Sequence, residues 1–225
     1  FGSNGTHLDL GHVKIMVTGS TGSFYPNLDE LTATINEVHR KRFPVAIHAV
    51  ELEAVELAAN ALSKARKSGG CGPVNDRIEH CSECSTTDLR KLTGVNVSVV
   101  TQPGLLYERG HVYVRDIPSS FHQYLYRIKD FFDSGLTPAG GSDAPVTEPK
   151  PLDAIYSAVT RKSKTGDMVS PEQGISVYEA LKMYTVNPSK TGYVTCDRGT
   201  IEPGKLADLV ILDQNPLIID QEAIR

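Results

Sequence analysis

One feature narrows the folds open to this chain more than any other: short, nearly uniformly apolar runs alternate with segments of helical spacing. Five runs read as strands, namely Val13 to Thr18 (VKIMVT), Pro44 to Val50 (PVAIHAV), Arg77 to Cys81 (RIEHC), Val95 to Thr101 (VNVSVVT) and Leu136 to Gly141. After the first, Gly19 to Gly22 reads as a loop, and then Leu28, Leu31, Ile35 and Val38 recur at helical spacing behind Pro26 and Asn27. Residues 51–68 are rich in Ala, Leu, Glu and Lys and end at Gly69 and Gly70, a helix stop. A short helix is predicted from Ser85, with Asp88 three residues on, to Gly94. Residues 102–119 read as a long loop. Further helices are predicted around Tyr124, Ile128, Phe131 and Phe132, over 152–162, and over 177–184 behind a Ser176–Glu179 capping box. Strands that are apolar on both alternating faces belong in a parallel sheet covered on both sides. The fold class is therefore α/β, either a doubly wound sheet or a (β/α) barrel.

The tail Gly199 to Asp213 (GTIEPGKLADLVILD) leaves this rhythm, with two β-like runs around Pro203 and Gly204 and no helix between them. It reads as a separate small β element. With 23 basic against 27 acidic side chains the net charge is -4, which argues against a nucleic-acid partner. No apolar run approaches the roughly 18 residues of a membrane span. Four cysteines (Cys71, Cys81, Cys84 and Cys196) make no disulfide framework in a chain of 225 residues, and no signal peptide opens it, so a cytoplasmic location is expected. Cys81 and Cys84 form a single C-x-x-C without the second pair a zinc ribbon needs, and read as free thiols. The sequons at Asn4 and Asn96 read as chance. The first residue is Phe1, and the chain is expected to be part of a longer protein.

Both parallel architectures carry their chemistry outside the carboxyl ends of the strands. Four ionisable residues qualify: Lys14 in the first strand, His48 in the second, His80 at the end of the third and Asp143 after the fifth. Each alone has an ordinary reading, as a snorkelling lysine, a hydrogen-bonded rim histidine or a turn aspartate. On successive strands of one sheet, two imidazoles and a carboxylate suit a divalent metal such as Zn, with water completing the site. Gln102, Tyr107, Glu108, Arg109 and Tyr113 lie where substrate-contacting loops are expected, and Arg161 reads as a solvated or paired helical arginine.

Taken in order, VKI with Lys14, VAIHAVE with His48, RIEHCS with His80, GGSDAPV with Asp143 and the tail DRGTIEPGKLADLVILD resemble the amidohydrolase superfamily, in particular the metal-dependent hydrolases of amidohydrolase family 3. The resemblance covers Val13 to Pro216. It implies a (β/α)8 TIM barrel with one or two divalent metals, flanked by a small β-sandwich. Lys14 resembles the fourth-strand lysine that bridges metals as a carbamate, so its carboxylation is implied. His48 and His80 resemble the histidine ligands of strands five and six. Asp143 resembles the aspartate after strand eight, which binds metal and takes a proton from the attacking water.

The His-x-His pair of the family's first strand has no counterpart, since His7 and His12 precede the Lys14 strand five positions apart and read as surface residues. The chain is thus expected to be a partial barrel, about strands four to eight: residues 1–195 as the C-terminal part of the barrel and 196–225 as a C-terminal segment of the sandwich. The implied activity is hydrolysis of C–N bonds, amide or cyclic amide, in a small-molecule substrate by metal-bound hydroxide. This chain alone would be an incomplete, inactive portion with weak or absent metal binding. The alternative is a non-catalytic scaffold or assembly protein with an amidohydrolase-like barrel. An open partial barrel exposes strand edges and apolar faces, so a homo-oligomer or association with the missing barrel half is expected.

Overall fold

A computed structural model describes residues 10–20, 23–67, 76–95, 97–192 and 197–225. The expectations for Asn4, His7, Gly69, Gly70, Cys71, Asn96 and Cys196 lie outside these residues. Two compact units are present, one of residues 1–100 with 134–136 and one of residues 101–133 with 137–225.

The first unit opens with β1 (Val13–Met16), β2 (Thr18–Ser20), β3 (Ser23–Tyr25) and α1 (Leu28–Arg40), followed by β4 (Val45–Ala49), α2 (Leu52–Lys67), β5 (Arg77–His80) and α3 (Thr86–Gly94). β6 (Ser98–Thr101) begins in this unit, and its last residue belongs to the second. Strands β1, β4, β5 and β6 pair in parallel, in that order, as their apolar sequences predict. Two rows of Cα partners cross the sheet, Lys14–Ala46–Arg77–Ser98 and Met16–His48–Glu79–Val100. Because strand side chains alternate, these residues share one face, while Ile15, Ile47, Ile78 and Val99 occupy the other and are buried in the core. Each such Ile or Val contributes about 1.5 to 3 kcal/mol by leaving water. Ala54, Ala58, Ala61 and Ala65 of α2 are all buried and lack bulk, so the helix lies close against its neighbours.

The start of α1 is the expected Asn27: its side chain accepts from the backbone N–H of Asp29 and Glu30, and Glu30 accepts from the Asn27 N–H in return. The far end is tied inside the core. Asp76 Oδ1 accepts from His39 Nε2 at 2.9 Å and from the Val45 N–H at 2.9 Å, and both side chains are buried.

Two expectations for this unit need correction. Where a loop is predicted after β1, the short strands β2 and β3 pair antiparallel, too short to show a periodic pattern; a Cβ at position 19 would make a tight contact, 3.0 Å from the Phe24 ring. Nor is the first strand covered on both faces. Val13 is 37% and Met16 47% exposed, and Lys14 is exposed too, because β1 is the terminal strand of the sheet.

The second unit contains α4 (Pro103–Asp116), α5 (Ser119–His122), α6 (Ile128–Asp133), β7 (Pro138–Gly140), α7 (Pro151–Thr160), α8 (Val177–Met183) and α9 (Val186–Thr191). β7 runs on to Gly141, whose N–H donates to the Thr101 carbonyl at 2.9 Å within this unit. The predicted loop over 102–119 is instead mostly α4, started by Pro103 and burying Leu105, Leu106 and Gly110. Gly104, Gly110, Val112 and Val114 lower its helical propensity and hid it. Gly110 is there for packing, since a Cβ would lie 2.9 Å from Ser163 Cβ.

Of the helix predicted around 124–132 only α6 forms, because Tyr126, at φ 47°, breaks the chain before it. Arg161 holds that break. This residue, predicted to be solvated or paired, caps α7 at φ 59° and is 0% exposed. Its guanidinium donates from Nε to the Val169 carbonyl at 2.9 Å, from Nη1 to that of Tyr126 at 3.1 Å and from Nη2 to that of Leu125 at 3.2 Å. Burial pulls its pKa down to about 10.

The predicted capping box of α8 is present, with Ser176 and Glu179 exchanging hydrogen bonds. The tail carries the apolar pattern of strands, yet no strand forms among the described residues 197–225. Ile211 is 96% exposed, and Ile201, Leu209 and Val210 are exposed with it. A lone extended run has no ladder to satisfy its backbone. Past it, Ile224 docks into the unit's core, and Glu222 accepts from the Tyr156 hydroxyl at 2.9 Å. Among the described residues no helix is long and apolar enough to cross a membrane.

Candidate functional site

His48 is the fourth residue of β4 and stands half-buried on the face shared with Glu79. His80, only 6% exposed, ends β5 opposite Ala49, so strand alternation alone would send its ring to the other face. The backbone prevents this. His80 has φ 75° and the following Cys81 φ 47°, two successive side-chain-bearing residues in the left-handed region. The Cys81 N–H secures the bend by donating to the Ala49 carbonyl at 2.9 Å and to that of Glu79 at 3.1 Å. In consequence the two imidazoles meet edge to face, with centroids 4.4 Å apart and planes at 74°. Such backbone costs about 1 to 3 kcal/mol per residue, and it persists where the surroundings enforce it.

This geometry fits a shared cation. With metal–nitrogen bonds of about 2.0 to 2.1 Å, two ligand nitrogens lie no more than about 4 Å apart, a requirement that only adjoining rings such as these can meet. The same sheet face carries a partly buried ion pair beside His48, Arg77 Nε to Glu79 Oε1 at 2.5 Å. It went unremarked in the sequence, although the alternation in RIE was signal enough to put both side chains on one face. Lys14 lies on that face as well, in register with Ala46 and therefore two residues short of the His48 row, roughly 6 to 7 Å along the strand. Its ammonium is exposed. Cys81 and Cys84 are both buried and form no disulfide among the described residues.

Asp143 belongs to the second unit. It follows β7 in a turn, exposed and with φ 58°, and its carbonyl accepts from the Val146 N–H at 2.8 Å. The preceding Ser142 is fixed on both sides, its hydroxyl accepting from the Ala144 N–H at 3.2 Å and its carbonyl accepting from the Thr147 hydroxyl. The structure thus brings His48 and His80 together, aligns Lys14 on their face and sets Asp143 in a defined turn. Among the described residues no three His, Cys, Asp or Glu side chains gather as a ligand set.

Comparison with known proteins bears on this arrangement. The sequence profile described as "Amidohydrolase family" matches residues 2–225. The N-substituted formamide deformylase of Arthrobacter pascens is 28% identical over 174 residues, which is 77% of this chain and 32% of that protein. An uncharacterized metal-dependent hydrolase from Pyrococcus furiosus superposes with a TM-score of 0.77 at 25% identity, covering 92% of this chain and 45% of the other. A second, from Pyrococcus horikoshii, gives 0.78 at 21% identity over 95% of this chain and 46% of that one. The chain therefore spans about a third to a half of the length of the relatives it matches.

Proposed function

Because the chain belongs to the amidohydrolase family, we propose that it supplies the Lys14, His48, His80 and Asp143 part of a metal-dependent hydrolase acting on C–N bonds, either amides or cyclic amides. The observation that carries this reading is the approach of His48 and His80 to 4.4 Å, held by left-handed backbone at His80. His48 and His80 would hold a divalent cation through neutral imidazole nitrogens. Lys14 would join them only as a carbamate, because an ammonium has no lone pair to donate. A cation held there, such as zinc, lowers the pKa of water towards 7 and polarises a carbonyl. Asp143 then serves as the base that accepts the proton of the attacking water and returns it to the leaving nitrogen. The similarity to a protein named as a formamide deformylase supports an amide substrate.

The fold proposed for the complete protein is a TIM barrel, with residues 1–195 within it and 196–225 in a small β-sandwich. The exposed Ile201, Leu209, Val210 and Ile211 accord with a tail that finds its strand partners elsewhere. A second copy or the remaining barrel half would cover the open side of β1.

Elemental composition and amide hydrolysis by the natural protein test this reading, with an N-substituted formamide and a cyclic amide as substrates. At least one equivalent of divalent metal and metal-dependent release of acid are expected, both lost in His48→Ala. The 225-residue chain alone is expected to hold metal weakly and turn over negligibly. A natural protein that binds no metal and hydrolyses neither amide after supply of zinc, manganese or iron would overturn the reading in favour of the non-catalytic scaffold.

A further inference from the structure

The metal chemistry proposed for His48 leaves the neighbouring Arg77–Glu79 pair without a task. Glu79 is 8% exposed and is the direct Cα partner of His48 on the next strand, with both side chains on one face of the sheet. Neighbouring strands stand about 4.7 to 4.9 Å apart, so the two side chains start from adjoining points on that face. Arg77, two residues earlier on β5, holds the carboxylate by charge, Nε to Oε1 at 2.5 Å. The two atoms meet out of line, and neither makes a hydrogen bond among the described residues. An ionised carboxylate accepts about four hydrogen bonds, and a buried acceptor left without a donor is costly. Because Oε1 is closed to solvent, its donor has to be a neighbouring side chain. The register leaves His48, since the partner of Glu79 on the other flank is Val100, which has no polar side-chain atom. Glu79 is not itself a third ligand, because no three such side chains gather as a ligand set among the described residues.

We infer that Glu79 is a positioning residue for His48: its carboxylate accepts the imidazole N–H that faces away from the cation, while Arg77 keeps that carboxylate charged and in place. Alignment needs only rotation about side-chain bonds, which leaves the sheet unchanged. The contact fixes which ring nitrogen carries the proton and reserves the lone pair of the other for the metal. This inference rests on the proposed reading of His48 as a ligand for its purpose, while the contact itself needs neither metal nor turnover.

Removing Glu79 alone would strand the Arg77 charge, so the test uses the pair variant Arg77→Met/Glu79→Met; exchanging an ion pair for apolar residues of similar volume is often neutral for folding. Nitrogen-15 NMR of the natural protein, with a chelator present at about pH 8 where an ordinary imidazole is neutral, reads the histidine tautomers. The His48 signals are those absent from His48→Ala. A single tautomer is expected for His48 in the wild type and a mixture in the pair variant. Zinc affinity, measured against a competing chelator, should fall about 10- to 100-fold in the same variant. Arg77→Met/Glu79→Gln returns an acceptor oxygen without its charge and should recover the single tautomer and most of the affinity. A pair that served the fold alone would move neither reading. An unchanged tautomer in the Met pair overturns the inference and leaves the hydrolase reading standing, as does unchanged affinity in a protein that binds zinc. A tautomer shift in a protein that binds no zinc keeps the Glu79–His48 contact and removes the metal reading.

Discussion

The rings of His48 and His80 lie 4.4 Å apart although their positions in the strand register place them on opposite faces of the sheet. Left-handed backbone at His80 makes the meeting. Asparagine tolerates that conformation better than most residues, so His80→Asn is expected to fold like the wild type and yet lose metal. The loss should exceed the roughly 10- to 100-fold cost of removing a mere outer-shell partner. Isothermal titration with zinc beside circular dichroism checks this; unchanged zinc affinity would remove His80 from the ligand set.

Asp143→Asn keeps the turn but cannot act as a base. Turnover is expected to fall about 100- to 10,000-fold. Steady-state kinetics on the natural protein, with metal content measured alongside, would show whether the loss exceeds any loss of metal.

Arg161 satisfies three buried carbonyls. Arg161→Met should cost about 3 to 5 kcal/mol in urea denaturation. Its folded pKa of about 10 lies below the unfolded value of 12.5. Below pH 10 both states hold the proton, so this cost should be flat from pH 6 to 9. Above pH 10 the unfolded chain binds more protons than the folded one, so the guanidinium's contribution to stability should rise with pH.

Asp76 accepts two hydrogen bonds within the core of the first unit. Asp76→Ala leaves the Val45 N–H and His39 Nε2 without an acceptor, and is expected to destabilise by about 2 to 4 kcal/mol. Asp76→Asn retains an oxygen for Val45 and should cost clearly less. Equal midpoint shifts for the two variants in chemical denaturation would show that packing, not hydrogen bonding, sets the value.

Two glycines should respond in opposite directions. Nothing lies within 4 Å of a Cβ at Gly94, the last residue of α3, so Gly94→Ala is expected to stabilise by about 0.5 to 1 kcal/mol. At Gly140 the new methyl would strike the Tyr184 ring, and Gly140→Ala should destabilise by about 1 to 3 kcal/mol. Thermal midpoints separate the two outcomes.

The parallel sheet was legible in the sequence because Ile15, Ile47, Ile78 and Val99 stand in short runs rich in apolar and β-branched residues. Caps at Asn27, Ser85 and Ser176 were legible because a side chain and a backbone amide three residues on suffice to make them. Helix α4 was not, since Gly110 serves a close contact with Ser163, some fifty positions away, and with Gly104 weakens the local signal. His48 and His80 were found as strand-end histidines, but nothing in RIEHC announces that His80 leaves the strand conformation. Arg161 was misread for a related reason: its partners are carbonyls, which every residue possesses and no sequence pattern marks.

The run of buried alanines along α2 sets a boundary on how this chain can be toughened. Enlarging Ala54, Ala58, Ala61 or Ala65 would wedge the helix away from the layer beneath it, so hardier variants must come from the periphery, at positions such as Gly94, where no neighbour has to yield.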